Sequence, residues 1–235
     1  MSANVDEIGI AAPAGYRELR AIMEARHSCR AFTADEVPRE TIVRVLETAQ
    51  LTASWCNTQP WQVTVLSGER RRAFADRLYA HAESGAGEAY DLDTPEYRGI
   101  SLVRRREAGW GLYEAVGITR GDREASLDQA LRNFRFFDAP HIAIITSDRA
   151  LGTYGVLDCG AYVASFLAAA TALGLATIAQ AAAVHHGDVV REHLAIPDDR
   201  LLVCGIAFGY EDRDHPANAF RTSRAPVTDA VTFLD

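Results

Sequence analysis

One stretch of the sequence, RHSCRAF at residues 26–32, says more about the fold than any other. It interrupts the helical spacing of the apolar residues before it, which predicts an extended segment. Because side chains alternate between the two faces of an extended chain, Arg26, Ser28 and Arg30 would share one face. Two guanidinium groups beside a hydroxyl suit a phosphate, although arginines at a helix end also satisfy free carbonyl groups.

A second informative stretch, SWCNTQPW at residues 54–61, lies between a predicted helix and a predicted strand. In an extended conformation Asn57 and Gln59 would share a face, and each side-chain amide offers a donor and an acceptor. Such groups can recognise the edge of a heterocycle. The alternative is a polar turn between two core tryptophans, in which Pro60 biases Gln59 away from helix.

The composition around these stretches is that of a soluble globular protein, with 48% hydrophobic and 24% charged residues in a chain of 235. No repeat or linker divides it, which predicts one α+β domain over residues 1–235 with four or five strands. The net charge of −8 disfavours a nucleic-acid partner. All 24 basic residues are arginine, which excludes lysine Schiff-base chemistry and a Walker-type phosphate loop.

Several features indicate a cytoplasmic protein without a metal site or a membrane span. The four cysteines form no CxxC pair, the two within the motifs are expected to be packing thiols, and no signal-peptide pattern opens the chain. His185, His186 and His193 lack the further ligands of a convincing metal site. The uncharged segment 159–187 is broken at Gly174, which predicts a buried helix followed by a buried strand. Residues 84–122 have no clear period and are expected to form an irregular excursion or lid.

Taken together, RxSxRxF and SxxNxQPW resemble the FMN-dependent nitroreductase family, and the likeness extends over about residues 18–230. Among its branches, the chain is most similar to the bacterial nitroaromatic reductases with the Cys-Asn-Thr-Gln-Pro-Trp variant of the second motif. The stretches 174–182, 190–210 and 216–226 also resemble the family. Two departures are Ala53-Ser54, where members commonly have Pro-Ser, and Thr222, where some have a lysine.

The resemblance implies a three-layer fold, with a mixed, mainly antiparallel central sheet flanked by helices. It also implies a homodimer whose C-terminal tail wraps the partner, with two active sites at the interface. Each site would bind FMN. Ser54 and Asn57 would reach the flavin from the partner subunit, and Gln59 would brace their loop. Gln180 and Ala181 fall where the family presents a backbone N–H to flavin N5. The remaining implied cofactor-binding residues, mostly around the phosphate, are Arg26, His27, Ser28, Arg30, Arg221 and Arg224.

The implied activity is a ping-pong reaction in which NADPH or NADH reduces the flavin, and a nitroaromatic or related electron-poor compound then reoxidises it. No catalytic acid, base or nucleophile is expected from a side chain. The aromatic residues Trp110, Tyr113, Phe136 and Phe137 are candidates for the pocket wall. Alternatives are a reductive dehalogenase or an enoate-type reductase of the same fold, or a flavin-binding redox module without turnover.

Overall fold

A computed structural model describes residues 12–234 of the chain. Its centre is a four-stranded sheet in the order β1–β2–β4–β3. The strands are β1 Gln62–Ser67, β2 His141–Asp148, β3 Ala176–Gln180 and β4 Arg200–Gly209. Neighbouring strands all run antiparallel, and a parallel bridge from Ser28 to Thr177 of β3 supplies the mixed character. Strands β1 and β3 lie at opposite edges of this sheet.

Seven α-helices occur among the described residues. They are α1 Ala14–Ala25, α2 Arg39–Ala49, α3 Gly68–Glu83, α4 Gly99–Ala115, α5 Arg123–Leu131, α6 Gly152–Ala172 and α7 Gly187–Leu194. A 3-10 segment, Arg132–Asp138, continues α5 towards β2.

The helices cover the sheet on both faces. Seven of the eight residues of β2 are buried, as expected for a strand with helices on either side. One core cluster joins the sheet to α2 and α6 through residues such as Val45 and Phe166. The other joins it to α3 and α7 through residues such as Phe74 and Val190. The predicted three-layer α+β fold is therefore confirmed.

Helix α6 contains much of the uncharged segment that the sequence singled out. By length and composition it is one helix that could cross a bilayer. It packs instead within the protein, burying Cys159, Tyr162 and Phe166 in the core shared with the sheet. Gly174, with φ +76°, turns the chain into β3, as the sequence predicted.

The predicted irregular excursion at 84–122 is wrong for much of its length, because residues 99–115 form helix α4. None of the residues of α4 is buried within the described chain. Its large apolar residues Ile100, Val103 and Trp110 are exposed. Its apolar residues are spread around the helix, so the one-sided pattern from which a helix is recognised in sequence is missing. Residues 84–98 remain largely irregular.

Candidate functional site

A cavity of about 310 Å³ opens at the carboxyl end of β3. Residues 178–182 line one side of it and Arg30 another. Tyr113 of α4 and Gln129 and Asn133, at and just after α5, complete the polar and aromatic wall. The structure thus brings together Arg30, Gln180 and Ala181, three of the residues that the sequence proposed.

Two buried amide side chains that line this cavity each have one polar atom without a partner. Gln180, 4% exposed, donates its Nε2 to the carbonyl oxygen and to Oδ1 of Asn133, at 3.1 and 3.2 Å, while its Oε1 accepts nothing. Gln129, 8% exposed, has no partner for Nε2. A buried polar atom without a partner costs about 1–3 kcal/mol, so a ligand with both donors and acceptors would be stabilised here.

Sequence reasoning missed Gln129 and Asn133. Both lie near the end of the helix predicted at 123–135, four residues apart, and that spacing places two amides on one helical face. The pattern was available, but a glutamine or asparagine on a surface helix is ordinary, and nothing in the sequence showed that these two face β3.

A glycine allows the turn after β3 to lie close to the sheet. Gly205 of β4 pairs with Gln180. A Cβ on Gly205 would lie 2.6 Å from the Cβ of Ala183, which is too close for a real contact. The absence of a side chain at Gly205 therefore lets residues 181–184 fold over β4.

Residues 26–32 are extended, as predicted, and follow the outer edge of β3. Arg26 has φ −64° and ψ 123°, and the N–H of Cys29 donates to the carbonyl oxygen of Thr177. Cys29 is fully buried, in the core cluster that also contains Phe137 and Ile178. The side chain of His27 contacts Glu211, with Nε2 2.9 Å from Oε1, so the structure places it apart from Arg30 and Gln180.

Two arginines from distant parts of the chain approach each other near this edge. Burial lowers the pKa of Arg26, and the positive charge of Arg224 lowers it further. Burial also lowers the pKa of Arg30, whose NH1 donates to the carbonyl oxygen of Ser28 at 3.1 Å. Among the ion pairs of residues 12–234, Arg26, Arg30, Arg221 and Arg224 find no carboxylate partner. Arginines in this arrangement are ready to bind an anion.

The loop at 54–59 is tightly coiled, so the predicted extended conformation is wrong. Trp55–Asn57 form a 3-10 turn, and Cys56, Asn57 and Gln59 all have positive φ, at 50°, 58° and 46°. Gln59 braces the loop: its N–H donates to Ser54 Oγ at 2.9 Å, and its Nε2 donates to Asn57 Oδ1 at 3.3 Å. Strained backbone of this kind concentrates at functional sites.

This loop lies far from the cavity within one chain. It precedes β1, at the edge of the sheet opposite to β3. Three strand spacings of about 4.8 Å separate the two edges, or about 14 Å. Ser54, Asn57 and Gln59 are consequently not brought together with Arg30, Gln180 and Ala181 in a single chain.

The predicted aromatic wall is partly correct. Tyr113 and Phe137 line the cavity. Phe136 does not, because it is fully buried and packs on Phe74, with ring centroids 5.5 Å apart. Trp110 is 39% exposed and stacks under the guanidinium group of Arg120, 4.7 Å from the ring centroid.

The chain belongs to the nitroreductase family, because the model of that family matches residues 23–210. It is 38% identical over 219 residues to the 4-nitrobenzoate reductase of Nocardioides sp. strain LMS-CY, covering 91% of this chain and 89% of that one. It is 34% identical over 213 residues to the nitroreductase NfnB of Mycolicibacterium smegmatis, covering 90% and 91%.

The structural comparison agrees. The crystal structure of the FMN-dependent nitroreductase NfnB from Mycobacterium smegmatis, in complex with NADPH, superposes with a TM-score of 0.88 at 34% identity. The match covers 94% of this chain and 99% of that one. The resemblance read from the two motifs is confirmed at the level of family and fold.

Proposed function

We propose that this protein is an FMN-dependent NAD(P)H oxidoreductase, a single-domain cytoplasmic enzyme that reduces nitroaromatic or related electron-poor compounds. One observation carries the proposal. Gln129 and Gln180, each with a buried amide atom that has no partner, line the same cavity as Arg30. A flavin ring, whose polar edge alternates carbonyl and N–H groups, matches the amide and guanidinium side chains that line this cavity.

The residues present fit FMN. When bound, FMN supplies the redox chemistry by accepting a hydride from NAD(P)H and passing the electrons to the oxidising substrate. Arg30 would place a fixed positive charge beside the ring. This charge would stabilise negative charge on the ring. Gln180 holds its acceptor in one direction because Asn133 fixes its amide nitrogen. Ala181 is exposed at the cavity, where the family presents a backbone N–H.

The cofactor's phosphate has receptors at the other end of the site. Arg26 and Arg224, with Ser28, would hold it. A phosphate monoester carries about 1.5 to 2 negative charges at neutral pH, so two arginines nearly neutralise it. Burial and the positive charge of Arg224 both lower the pKa of Arg26, and the same anion would oppose both effects.

The remaining residues require a second copy of the chain. Ser54 and Asn57 are held ready by Gln59, yet they lie at the opposite edge of the sheet from Gln180. A homodimer in which each chain contributes this loop to its partner's cavity would complete two sites. Exposed apolar side chains support such an association, including Leu51 at 85% exposure, and Phe233 and Leu234 of the tail at 80% and 93%.

The chain's own contribution to turnover is then binding and the exclusion of water. Tyr113 and Phe137 give the cavity a flat apolar wall on which an aromatic substrate can stack. His27 and the Ser28 hydroxyl would act on the cofactor side, away from the oxidising substrate. The cavity therefore needs no side-chain acid or base of its own.

The test is an anaerobic absorbance titration of the purified protein with NADPH and then NADH, followed by reoxidation with a nitroarene, a quinone or a haloaromatic compound. We expect a bound flavin spectrum that a donor bleaches and the nitroarene restores. Fastest recovery with the haloaromatic compound would indicate dehalogenation instead. A bound flavin that neither donor bleaches would indicate a redox module, and a protein that takes up no FMN would contradict the proposal.

Two variants test the site assignment. Arg26→Ala and Arg224→Ala should fold but purify depleted of FMN, whereas Arg44→Ala, on an exposed face of α2, should keep it. Full flavin occupancy in both variants would contradict the assignment of the FMN phosphate to Arg26 and Arg224. Light scattering tests the second copy, because a monomer that retains FMN would contradict a site built from two chains.

A further inference from the structure

A second basic groove, of about 630 Å³, lies between helix α4 and the C-terminal tail. Arg104, Glu107 and Ala108 line it from the helix, and residues 220–225 line it from the tail. It shares Arg224 with the proposed phosphate site, so it continues outward from that site. The role inferred for this groove rests on the proposed function and concerns the choice of electron donor.

Close packing fixes the two walls of this groove. A Cβ on Gly111 of α4 would lie 2.9 Å from Cζ of Phe220, and closer still to its Cε2. The phenylalanine ring therefore lies directly against the helix backbone, where only glycine leaves room. This contact holds the start of the tail along α4 and sets the position of Arg221 relative to Arg104.

The groove holds positive charge that the chain itself does not neutralise. Arg221 donates NH1 to the carbonyl oxygens of Asn218 and Phe220, which are neutral acceptors. Arg224 likewise bonds to Thr222 Oγ1 at 2.7 Å and to the carbonyl oxygen of Ser223 at 2.8 Å. Among the described residues Arg104 forms one ion pair, with Asp229 at 3.7 Å, and this long, half-exposed pair contributes little. Glu107 also lines the groove, so three arginines there face one lining carboxylate.

Charge balance indicates a second anion. Arg26 and Arg224 nearly neutralise the FMN phosphate, and Arg30 faces the other cavity. Arg221 and Arg104 then have no anion assigned to them. Their positive charges lie close together although the net charge of the protein is −8. Glu107 in the same groove disfavours a large polyanion, but its oxygens can accept hydrogen bonds from a ribose hydroxyl.

We propose that this groove binds the ribose 2′-phosphate of NADPH through Arg104 and Arg221, and thereby makes NADPH the preferred donor. NADPH differs from NADH only in this ester, which is close to a dianion at neutral pH. Guanidinium groups match its oxygens and keep their charge at every working pH. Binding would replace Asp229 at Arg104 with a stronger partner.

The test is calorimetric titration of the oxidised, FMN-loaded protein with NADP⁺ and with NAD⁺. We expect NADP⁺ to bind at least about tenfold more tightly, as charge-assisted hydrogen bonds to one phosphate allow. Arg104→Ala should remove about tenfold of this ratio, and Arg104→Glu more, with the affinity for NAD⁺ and the FMN content unchanged. The control is Arg106→Ala, which changes the same arginine run outside the groove.

Equal affinities for NADP⁺ and NAD⁺ in the unmodified protein would overturn the inference, as would a ratio that survives both Arg104 variants. Loss of FMN from Arg221→Ala without a change in the ratio would assign Arg221 to the cofactor alone, and so would also contradict it. FMN content and bleaching by NADH report on the proposed function separately. If NADH reduces the protein but NADP⁺ binds no more tightly than NAD⁺, the proposed function stands and this inference is wrong.

Discussion

Phe220 packs against Gly111 so closely that no Cβ fits between them. We expect Gly111→Ala to push the phenylalanine off α4 and to lower the free energy of unfolding by about 1–3 kcal/mol, the usual effect of overpacking. Urea unfolding would measure this. The matched control is Gly109→Ala on the same helix, where an added Cβ meets nothing within 4 Å. That substitution should stabilise the helix by about 0.5–1 kcal/mol, and equal effects at both positions would contradict the packing argument.

Asp91 anchors the irregular segment between α3 and α4. Its carboxylate accepts hydrogen bonds from Arg149 at 3.2 Å, from Arg191, and from the backbone N–H of Leu202 at 2.7 Å. Asp91→Ala leaves these donors without their acceptor, so we expect a loss of about 2–3 kcal/mol in the free energy of unfolding. Asp93→Ala, at an exposed position of the same segment, should change it by less than about 0.5 kcal/mol. A similar small loss at Asp91 would show that the segment is held in another way.

The buried side chain of His141 should make the free energy of unfolding depend on pH. It is 2% exposed; its Nε2 accepts the Val37 N–H at 2.9 Å, so Nδ1 carries the proton and donates to Ser67 Oγ at 2.6 Å. Burial lowers the pKa of His141, so the unfolded chain takes up a proton before the folded one as the pH falls. The stabilisation is therefore complete above about pH 6.5 and is lost progressively below it.

The measurement is the urea midpoint at several pH values between about 7.5 and 5.5. His141→Gln cannot titrate, and its side-chain oxygen can still accept from Val37. We expect this variant to be less stable at neutral pH and to lose less stability on acidification. His185, His186 and His193, whose pKa values burial also lowers, account for the dependence that remains. Identical pH profiles for the two proteins would exclude His141 as a source.

The four thiols should differ sharply in reactivity. Burial raises the pKa of Cys29 and Cys204 to about 12 and that of Cys159 to about 11, so these thiols stay protonated at neutral pH. Cys56 is exposed, which corrects its interpretation as a packing thiol. In a thiol-reagent assay, native Cys56→Ser should show no fast phase, and urea should release the other three. A fast phase in that variant would mean that one of the buried thiols Cys29 and Cys159, or the half-buried Cys204, reacts in the native protein.

The sequence predicted the layers of this fold better than its surface. The run HIAIITS and the uncharged stretch before Gly174 became β2 and α6, because a buried strand and a buried helix both require continuous apolar residues. Helix α4 escaped detection because its apolar side chains find no cover within the described chain. A period can be read only where one face of a helix is buried.

The candidate site shows the same division. Arg30 and Gln180 were identified from motifs, and the structure places them on one cavity. The coiled conformation of residues 54–59 was not predicted, because three non-glycine residues with positive φ contradict every local preference. Hydrogen bonds of Gln59 with the side chains of Ser54 and of Gln50, at the end of α2, hold the loop in that form. A single sequence does not reveal them.

The placement of the 54–59 loop and Gln180 at opposite edges of the sheet has a genetic consequence. If each cavity takes its loop from the other chain, a variant defective in Asn57 and a variant defective in Gln180 damage different halves of every site. When the two inactive variants are co-expressed, each mixed pair combines both defects in one site and leaves the other site free of both. Activity should therefore return on mixing two dead proteins, and the recovery should vanish when both substitutions are carried by the same chain.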